Sequence, residues 1–404
     1  MKAKNIFFLI LTVFCLSAIL SSCSNEQKAV TPNASTEAQA LLDFIYSLSG
    51  EFTLTGQHNY PNTKDRNTQF AKEYIGQTPA VWSSDMGFAE DGDYDSYLAR
   101  PDIVKEAIRQ HKKGSIITLC WHAVPPTADE PVTFSPKRDG DPAKLETIQG
   151  QLLDEQFKDV LTPGTALHEK WCQQVDSVAV YLKKLQEAKV PVLWRPYHEM
   201  NGDWFWWGGR VGEYSTADLY RQMYDRYVNH HKLNNLVWVW NVDRPSTPIR
   251  KFSNFYPGTE YLDIVSLDVY GSDFNKDYYD SLYVLAKGKP MLFGEVGNPP
   301  MPEILDEQPN WTLWVIWAGF VRNLNKKQHQ VLVNDRRILS MEDAAYHEAT
   351  ASYRKKMNLP LLPVEVEDDQ PTIETEEDFC TGLMETEDMI YPTDFTGEWI
   401  FNEE

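Results

Sequence analysis

The chain has 404 residues and a formal net charge of −21, from 38 Lys and Arg against 59 Asp and Glu. Such an acidic balance excludes nucleic acid as a partner, because a polyanion is repelled rather than neutralised. The five cysteines lack the even, close spacing of a disulfide scaffold, so stability has to come from a buried core, for which the chain is long enough.

In chain order, Lys2 and Lys4 precede an apolar run from Ile6 to Leu20, the pattern of a secretory signal peptide. Leu20-Ser21-Ser22-Cys23 follows and resembles the bacterial lipobox. That resemblance implies a signal peptide over 1–22, cleavage before Cys23, diacylglycerol on its sulfur, and attachment to a membrane through that lipid. The absence of Asp after Cys23 fits an outer-membrane lipoprotein of the cell envelope, facing the periplasm or the surface. Residues 23–40 are small and polar and read as a flexible tether.

From 41 to 360, strand-like and helix-like segments alternate, as in a parallel sheet covered by helices. Strands are predicted at Glu51 to Gly56, Pro79 to Ser83, Ser115 to Trp121, Pro191 to Tyr197, Leu236 to Trp240, Asp263 to Val269, Pro290 to Phe293 and Leu313 to Trp317. Amphipathic spacing predicts helices at Asp102 to Lys113, Glu169 to Lys189, Thr216 to His231 and Tyr278 to Ala286. Eight strands alternating with helices give an α/β fold, a (β/α)8 TIM barrel forming one catalytic domain. The Pro- and Gly-containing stretch from Val124 to Leu167 reads as an elaborated loop over the catalytic face. Residues 361–404 hold 15 Asp or Glu and no Lys or Arg; this acidic C-terminal tail accounts for most of the net charge and is too short for a separate sugar-binding domain.

Two glutamates stand where a barrel keeps its chemistry. Glu199 ends Leu193-Trp194-Arg195-Pro196-Tyr197-His198-Glu199, and Glu295 ends Met291-Leu292-Phe293-Gly294-Glu295; both lie at the exits of predicted strands, the fourth and the seventh. Paired carboxyls beside Trp204, Trp206 and Trp207 suit hydrolysis of a glycosidic bond, since one acid protonates the leaving oxygen while the other supports the sugar cation. His198-Glu199 is not the zinc-protease pattern H-E-x-x-H, because Gly202 replaces the second histidine and a Pro-containing strand replaces the helix. Alternation along the strand puts Arg195 on the face of Glu199, where it would stabilise the ionised carboxylate. Trp206 and Trp207 are balanced between sugar contact and packing, Trp238 and Trp240 read as core, and Asp85 and Asn241 as either hydroxyl ligands or turn residues.

The run His198-Glu199-Met200-Asn201-Gly202-Asp203-Trp204-Phe205-Trp206-Trp207-Gly208 and the later Phe293-Gly294-Glu295 resemble glycoside hydrolase family 26, chiefly retaining endo-β-1,4-mannanases. Gly56-Gln57-His58, Trp121-His122 and Asp268-Val269-Tyr270-Gly271 extend the likeness from about Leu41 to Pro360. The resemblance implies Glu199 as acid/base and Glu295 as nucleophile. It also implies a sugar-contacting set of His122, His198, Trp204, Tyr270, Trp317 and Arg195, Trp317 competing with Trp314 for its place. Neither a metal nor a cofactor is implied, and the expected partner is a β-mannan polysaccharide. A β-1,3-1,4-glucanase or β-1,3-xylanase would share the mechanism, and a non-catalytic glycan-binding lipoprotein would not need both carboxylates.

Overall fold

A computed structural model describes residues 27–87, 97–135 and 144–364. Eight parallel strands form the barrel: β1 (Gly56–Asn59), β2 (Val81–Asp85), β3 (Ile116–Trp121), β4 (Val192–Pro196), β5 (Leu236–Asp243), β6 (Ile264–Val269), β7 (Met291–Val296) and β8 (Trp311–Ile316). Each pairs with the next, and β8 returns to β1 through Ile316 and Gln57, closing the sheet. The short strand Thr53–Leu54 pairs with Ile338–Leu339 beside the barrel.

The helices are α1 (Thr36–Leu48), α2 (Arg66–Ile75), α3 (Arg100–Lys113), α4 (Asp154–Leu161), α5 (Ala166–Glu187), α6 (Thr216–Asp225), α7 (Lys276–Ala286), α8 (Pro302–Glu307), α9 (Lys326–Val333) and α10 (Ala344–Lys356). All four helices predicted from amphipathic spacing are present as α3, α5, α6 and α7. The last turns predicted for α6 are wound as a π-helix over Arg226–His230.

Strand alternation sorts the core into two. Outward residues such as Trp82, Ile117, Trp194, Trp238 and Trp240 form one cluster with Ile103, Val175, Leu182 and Leu219 of the surrounding helices. Inward residues Val81, Ile116, Leu193, Val237, Ile264, Leu292 and Leu313 form the second with Ala38, Leu41, Leu42 and Ile45 of α1. Helix α1 thus closes the N-terminal end of the barrel, opposite the strand exits, and stacks Phe44 on Tyr353 of α10 at 5.4 Å.

Over the described residues 27–40 this differs from the tether expected over 23–40. Val30 N–H donates to Asp263 Oδ1 at 2.7 Å, Tyr224 OH donates to Val30 O at 2.6 Å, and Ser35 N–H donates to Asn234 O at 2.7 Å. Ser35 then caps α1 through Ala38 N–H. The polarity that suggested freedom reflects strapping by hydrogen bonds instead of burial of apolar side chains. Cys23, the signal segment 1–22 and tail residues 365–404 lie outside the described residues. Among the described residues, no helix is long and apolar enough to cross a membrane.

The described part of the stretch after β3 pairs its backbone with the loop after β4, and the end of the stretch expected as loop is helical, in α4 and the first turn of α5. Gly150 N–H donates to Trp204 O at 2.8 Å and Trp206 N–H to Ile148 O at 3.3 Å. Gln151 Nε2 donates to the carbonyls of Asp203 and Phe205.

Candidate active site

β4 ends at Pro196, and extended geometry ends with it: Tyr197 and Glu199 both have φ of +50°. A non-glycine residue in that region costs about 1–3 kcal/mol and persists only where its surroundings hold it. Here the Tyr197 hydroxyl turns outward to accept from Trp171 Nε1 of α5 at 2.8 Å. Trp207 Nε1 fixes the His198 carbonyl at 2.9 Å. The two positive-φ residues break the strand alternation between Arg195 and Glu199.

Glu295 is aimed by a different irregularity. On β7, Leu267 pairs with Phe293 but Asp268 pairs with Glu295, leaving Gly294 without a partner, the arrangement of a β-bulge. A Cβ at Gly294 would collide with Nη1 of Arg195 and come within 2.6 Å of Asn241 Oδ1 and Ser266 Oγ. The missing side chain is the space into which Arg195 reaches.

The result is a buried charge network. Arg195 Nη2 donates to Glu295 Oε1 at 2.8 Å and Nη1 lies 3.2 Å from Asp268 Oδ1, with Asn241 Oδ1 also accepting from Nη1. Tyr270 OH donates to the other oxygen of Glu295, Oε2, at 2.7 Å. Trp204 Nε1 donates to Glu199 Oε2 at 2.6 Å. One oxygen from each of Glu199, Asp268 and Glu295 lies within 4.8 Å of the others. A cation would suit that spacing, but the Arg195 guanidinium already supplies positive charge there and engages oxygens of Asp268 and Glu295.

Burial is the main force on the titrating groups. It pushes the Glu199 carboxyl well above the usual carboxylate range, helped by the negative charges of Asp243, Glu295 and Asp268 and opposed by the Trp204 bond. Burial and Glu295 likewise push Asp268 up. Burial also opposes the charge on Arg195, yet Asp268 and Glu295 outweigh it and hold the guanidinium protonated. His198 is driven well below the ordinary histidine value by burial and by His122 and Arg195, so its Nε2, 3.7 Å from Glu295 Oε1, belongs to a neutral ring at pH 7. Tyr270 is pushed up by burial and by Glu295 and remains a donor.

Chemically, the arrangement holds one carboxyl that keeps its proton beside another fixed at both oxygens, at the exits of β4 and β7. The sequence profile of glycosyl hydrolase family 26 matches residues 30–339. The chain belongs to this family. A mannan endo-1,4-beta-mannosidase of Thermothelomyces thermophilus is 33% identical over 318 residues, covering 74% of this chain and 59% of that protein. The solved structure of GH26A from Muricauda sp. MAR_2010_75 is 43% identical, with a TM-score of 0.70 over 77% of this chain and 98% of that one. A Podospora anserina GH26-CBM35 beta-(1,4)-mannanase has a TM-score of 0.66 at 28% identity, over 81% and 70%. The chain spans between 45% and 59% of the length of the first three curated relatives it matches.

Within this family 26 barrel, most residues singled out in the sequence converge. His122 and His198 meet with ring centroids 4.4 Å apart, Phe205 lies 5.3 Å from His122, and Trp317 lies 5.9 Å from it. Trp317 is half-buried and stacks on His58 at 3.9 Å, whereas Trp314 is wholly in the core. Trp206 and Trp207 are also fully buried: they pack, and their indole N–H groups fix Ala123 O and His198 O. Trp204 is half-buried, with the Arg250 guanidinium over its ring at 5.4 Å.

Arg195 departs from one expectation: it pairs with Glu295 and not Glu199, and at 1% exposure its guanidinium sits among the carboxylates of Asp268 and Glu295. Asp85 and Asn241 are both fully buried: Asp85 takes the turn role, accepting from Gly87 N–H at 2.7 Å, and also accepts from His122 Nδ1 at 2.7 Å, while Asn241 accepts from Arg195. His58, Asn201 and Asp268 stand in the family motifs without a role read for them, and Asp243 has no sequence signal. Asp268 had a readable signal, since alternation from Ile264 places Ser266 and Asp268 inward; Asn201 and Asp243 meet only in the folded chain.

Proposed function

We propose that the protein is a retaining endo-β-1,4-mannanase acting on mannan, glucomannan or galactomannan. The observation that carries this is the closeness of Glu199 and Glu295, whose nearest oxygens lie within 4.8 Å. Retaining enzymes place their carboxyls about 5–5.5 Å apart, whereas inverting ones need about 6.5–9.5 Å to admit a water. The naming of the relatives as mannan endo-1,4-beta-mannosidases and beta-(1,4)-mannanases supports the choice of sugar.

In the first step a Glu295 oxygen attacks the anomeric carbon, the bond to the leaving oxygen breaks, and Glu199 gives that oxygen its proton. Formation of the ester removes the Glu295 charge that helped keep Glu199 protonated. Glu199 is then an ionised base that takes a proton from water as the water oxygen displaces Glu295 from the sugar. Arg195 and Tyr270 hold Glu295, and His122, His198, Trp204 and Trp317 form the wall against which the reacting sugar sits.

We further propose that Cys23 carries diacylglycerol and holds the enzyme at the cell envelope, on the strength of Leu20-Ser21-Ser22-Cys23 after the basic and apolar leader. Hydrolysis of mannan followed by NMR tests the enzymatic reading. The expected result is mixed manno-oligosaccharides released first as the β-anomer; initial α-anomer would overturn the retaining mechanism, and activity confined to β-1,3-1,4-glucan or β-1,3-xylan the sugar.

A further inference from the structure

Asn201 lies two residues beyond Glu199 and is fully buried. Its carboxamide binds the main chain of Asp243 on both sides: Asp243 N–H donates to Asn201 Oδ1 at 2.7 Å, and Asn201 Nδ2 donates to Asp243 O at 2.6 Å. Nδ2 also donates to Arg250 O at 3.1 Å. Backbone pairing between β4 and β5 runs only from Val192 with Leu236 to Trp194 with Trp238. Beyond it, Met200 N–H reaches Asn241 O at 3.4 Å, and the Asn201 side chain adds a further rung where the twisted backbone cannot.

The contacts form a closed loop around the carboxyl of Glu199. Asn201 fixes the Arg250 carbonyl, and the Arg250 guanidinium pairs with Asp203 and covers the Trp204 ring. Trp204 Nε1 in turn donates to Glu199. Gly202 N–H donates to Glu199 O at 2.8 Å, which closes the turn that carries Glu199 at positive φ. A proton-transfer group has to stay within hydrogen-bond reach of the leaving oxygen, and a strained residue stays in place only if its neighbours over-determine it.

We propose that Asn201 is a positioning residue for proton transfer: by bridging the β4 loop to Asp243 and Arg250 it holds Glu199 at the leaving oxygen, without touching substrate. This rests on the assignment of Glu199 as acid and base.

The test compares Asn201→Ala with the parent on two substrates, a manno-oligosaccharide and 2,4-dinitrophenyl β-mannobioside, whose leaving group departs without a proton. For the oligosaccharide, kcat should fall about 10²-fold with KM nearly unchanged, the scale of a general acid's contribution. For the dinitrophenyl substrate, kcat/KM should change by less than about fivefold, because its first step needs no acid. The sugar-enzyme ester should then accumulate, and azide, a nucleophile that needs no base, should raise turnover and yield β-mannobiosyl azide. Any unfolded fraction lowers both rates by one factor, so the ratio between substrates reads proton transfer alone.

Equal losses on the two substrates with no azide response would overturn the proposal and leave Asn201 a packing residue. If the parent cleaves a different β-linked oligosaccharide, the sugar assignment fails while the same comparison on that sugar still decides Asn201. A parent inactive on all of them overturns both.

Discussion

Arg195 shows how far a single residue's neighbours can differ from its sequence neighbours. It is four positions from Glu199, yet its guanidinium serves Glu295 and Asp268, because Tyr197 and Glu199 leave the strand conformation and Gly294 vacates the space across the barrel. Removing one partner from a buried ion pair leaves the other uncompensated, so Arg195→Met should lower unfolding free energy by about 3–5 kcal/mol in urea titrations. Glu199→Gln and Glu295→Gln should each reduce mannan turnover by at least about 10²-fold while the proteins melt as cooperatively as the parent. The pH profile carries the sign of the Glu199 shift. In the proposed mechanism the first chemical step needs the proton on Glu199, so kcat/KM should be lost as pH rises through its raised pKa, placing the alkaline limb above the ordinary carboxylate range. Burial is the larger cause and the Asp243 charge the next; Asp243→Asn should therefore move that limb to lower pH, partway and not fully. An unmoved limb would show that Asp243 does not act on Glu199.

Among the elements, α1 and the strap before it carry the main correction. A segment of small polar residues reads as a tether because it offers little to bury, but Asp263 waits for it at the start of β6. Burial raises Asp263 to about 6, with the Val30 and Trp238 N–H groups opposing, so the carboxylate depends on those donors. Truncation through Ser35 removes the Val30 donor and should cost about 1–3 kcal/mol relative to truncation before Ala29, measured as a urea midpoint shift. The helix is not legible in the sequence because its apolar partners come from far along the chain: Leu41 and Ile45 are fully buried in one cluster with Leu193, Val237 and Ile264, and Phe44 stacks on Tyr353. Leu41→Ala should cost about 2–5 kcal/mol, with kcat of the folded fraction unchanged since α1 lies at the end opposite the strand exits.

For the whole molecule, the barrel interior grades from apolar at the α1 end to polar at the exits. Val81, Ser83 and Asp85 on β2 follow that order, as do Ile264, Ser266 and Asp268 on β6, all buried. If the proposed lipid on Cys23 is the anchor, Cys23→Ser should move the protein from membrane to soluble fractions with unchanged specific activity on soluble mannan, since acyl chains would supply about 0.8 kcal/mol per buried methylene. Retention of the variant on membranes would remove the anchor from the account.

The sequence by itself determined the alternation of strands with helices and the placing of Glu199 and Glu295 at exits four and seven, because these depend on local periodicity and on residue type at a strand's end. The first strand, read over Glu51 to Gly56, covers the short Thr53–Leu54 strand and only the first residue of β1 (Gly56–Asn59). Strand ends shifted by a few residues, as with β2, read from Pro79 but running from Val81 to Asp85. Only the tertiary structure decided which charge Arg195 meets, that Asn201 extends the β4–β5 pairing, that Trp206 and Trp207 pack while Trp204 reaches Glu199, and that α1 closes the barrel. Each of these depends on a twist, a bulge or a contact between residues far apart in the chain. Local pattern reports which face a side chain takes only while the backbone keeps its period, and at the site it does not.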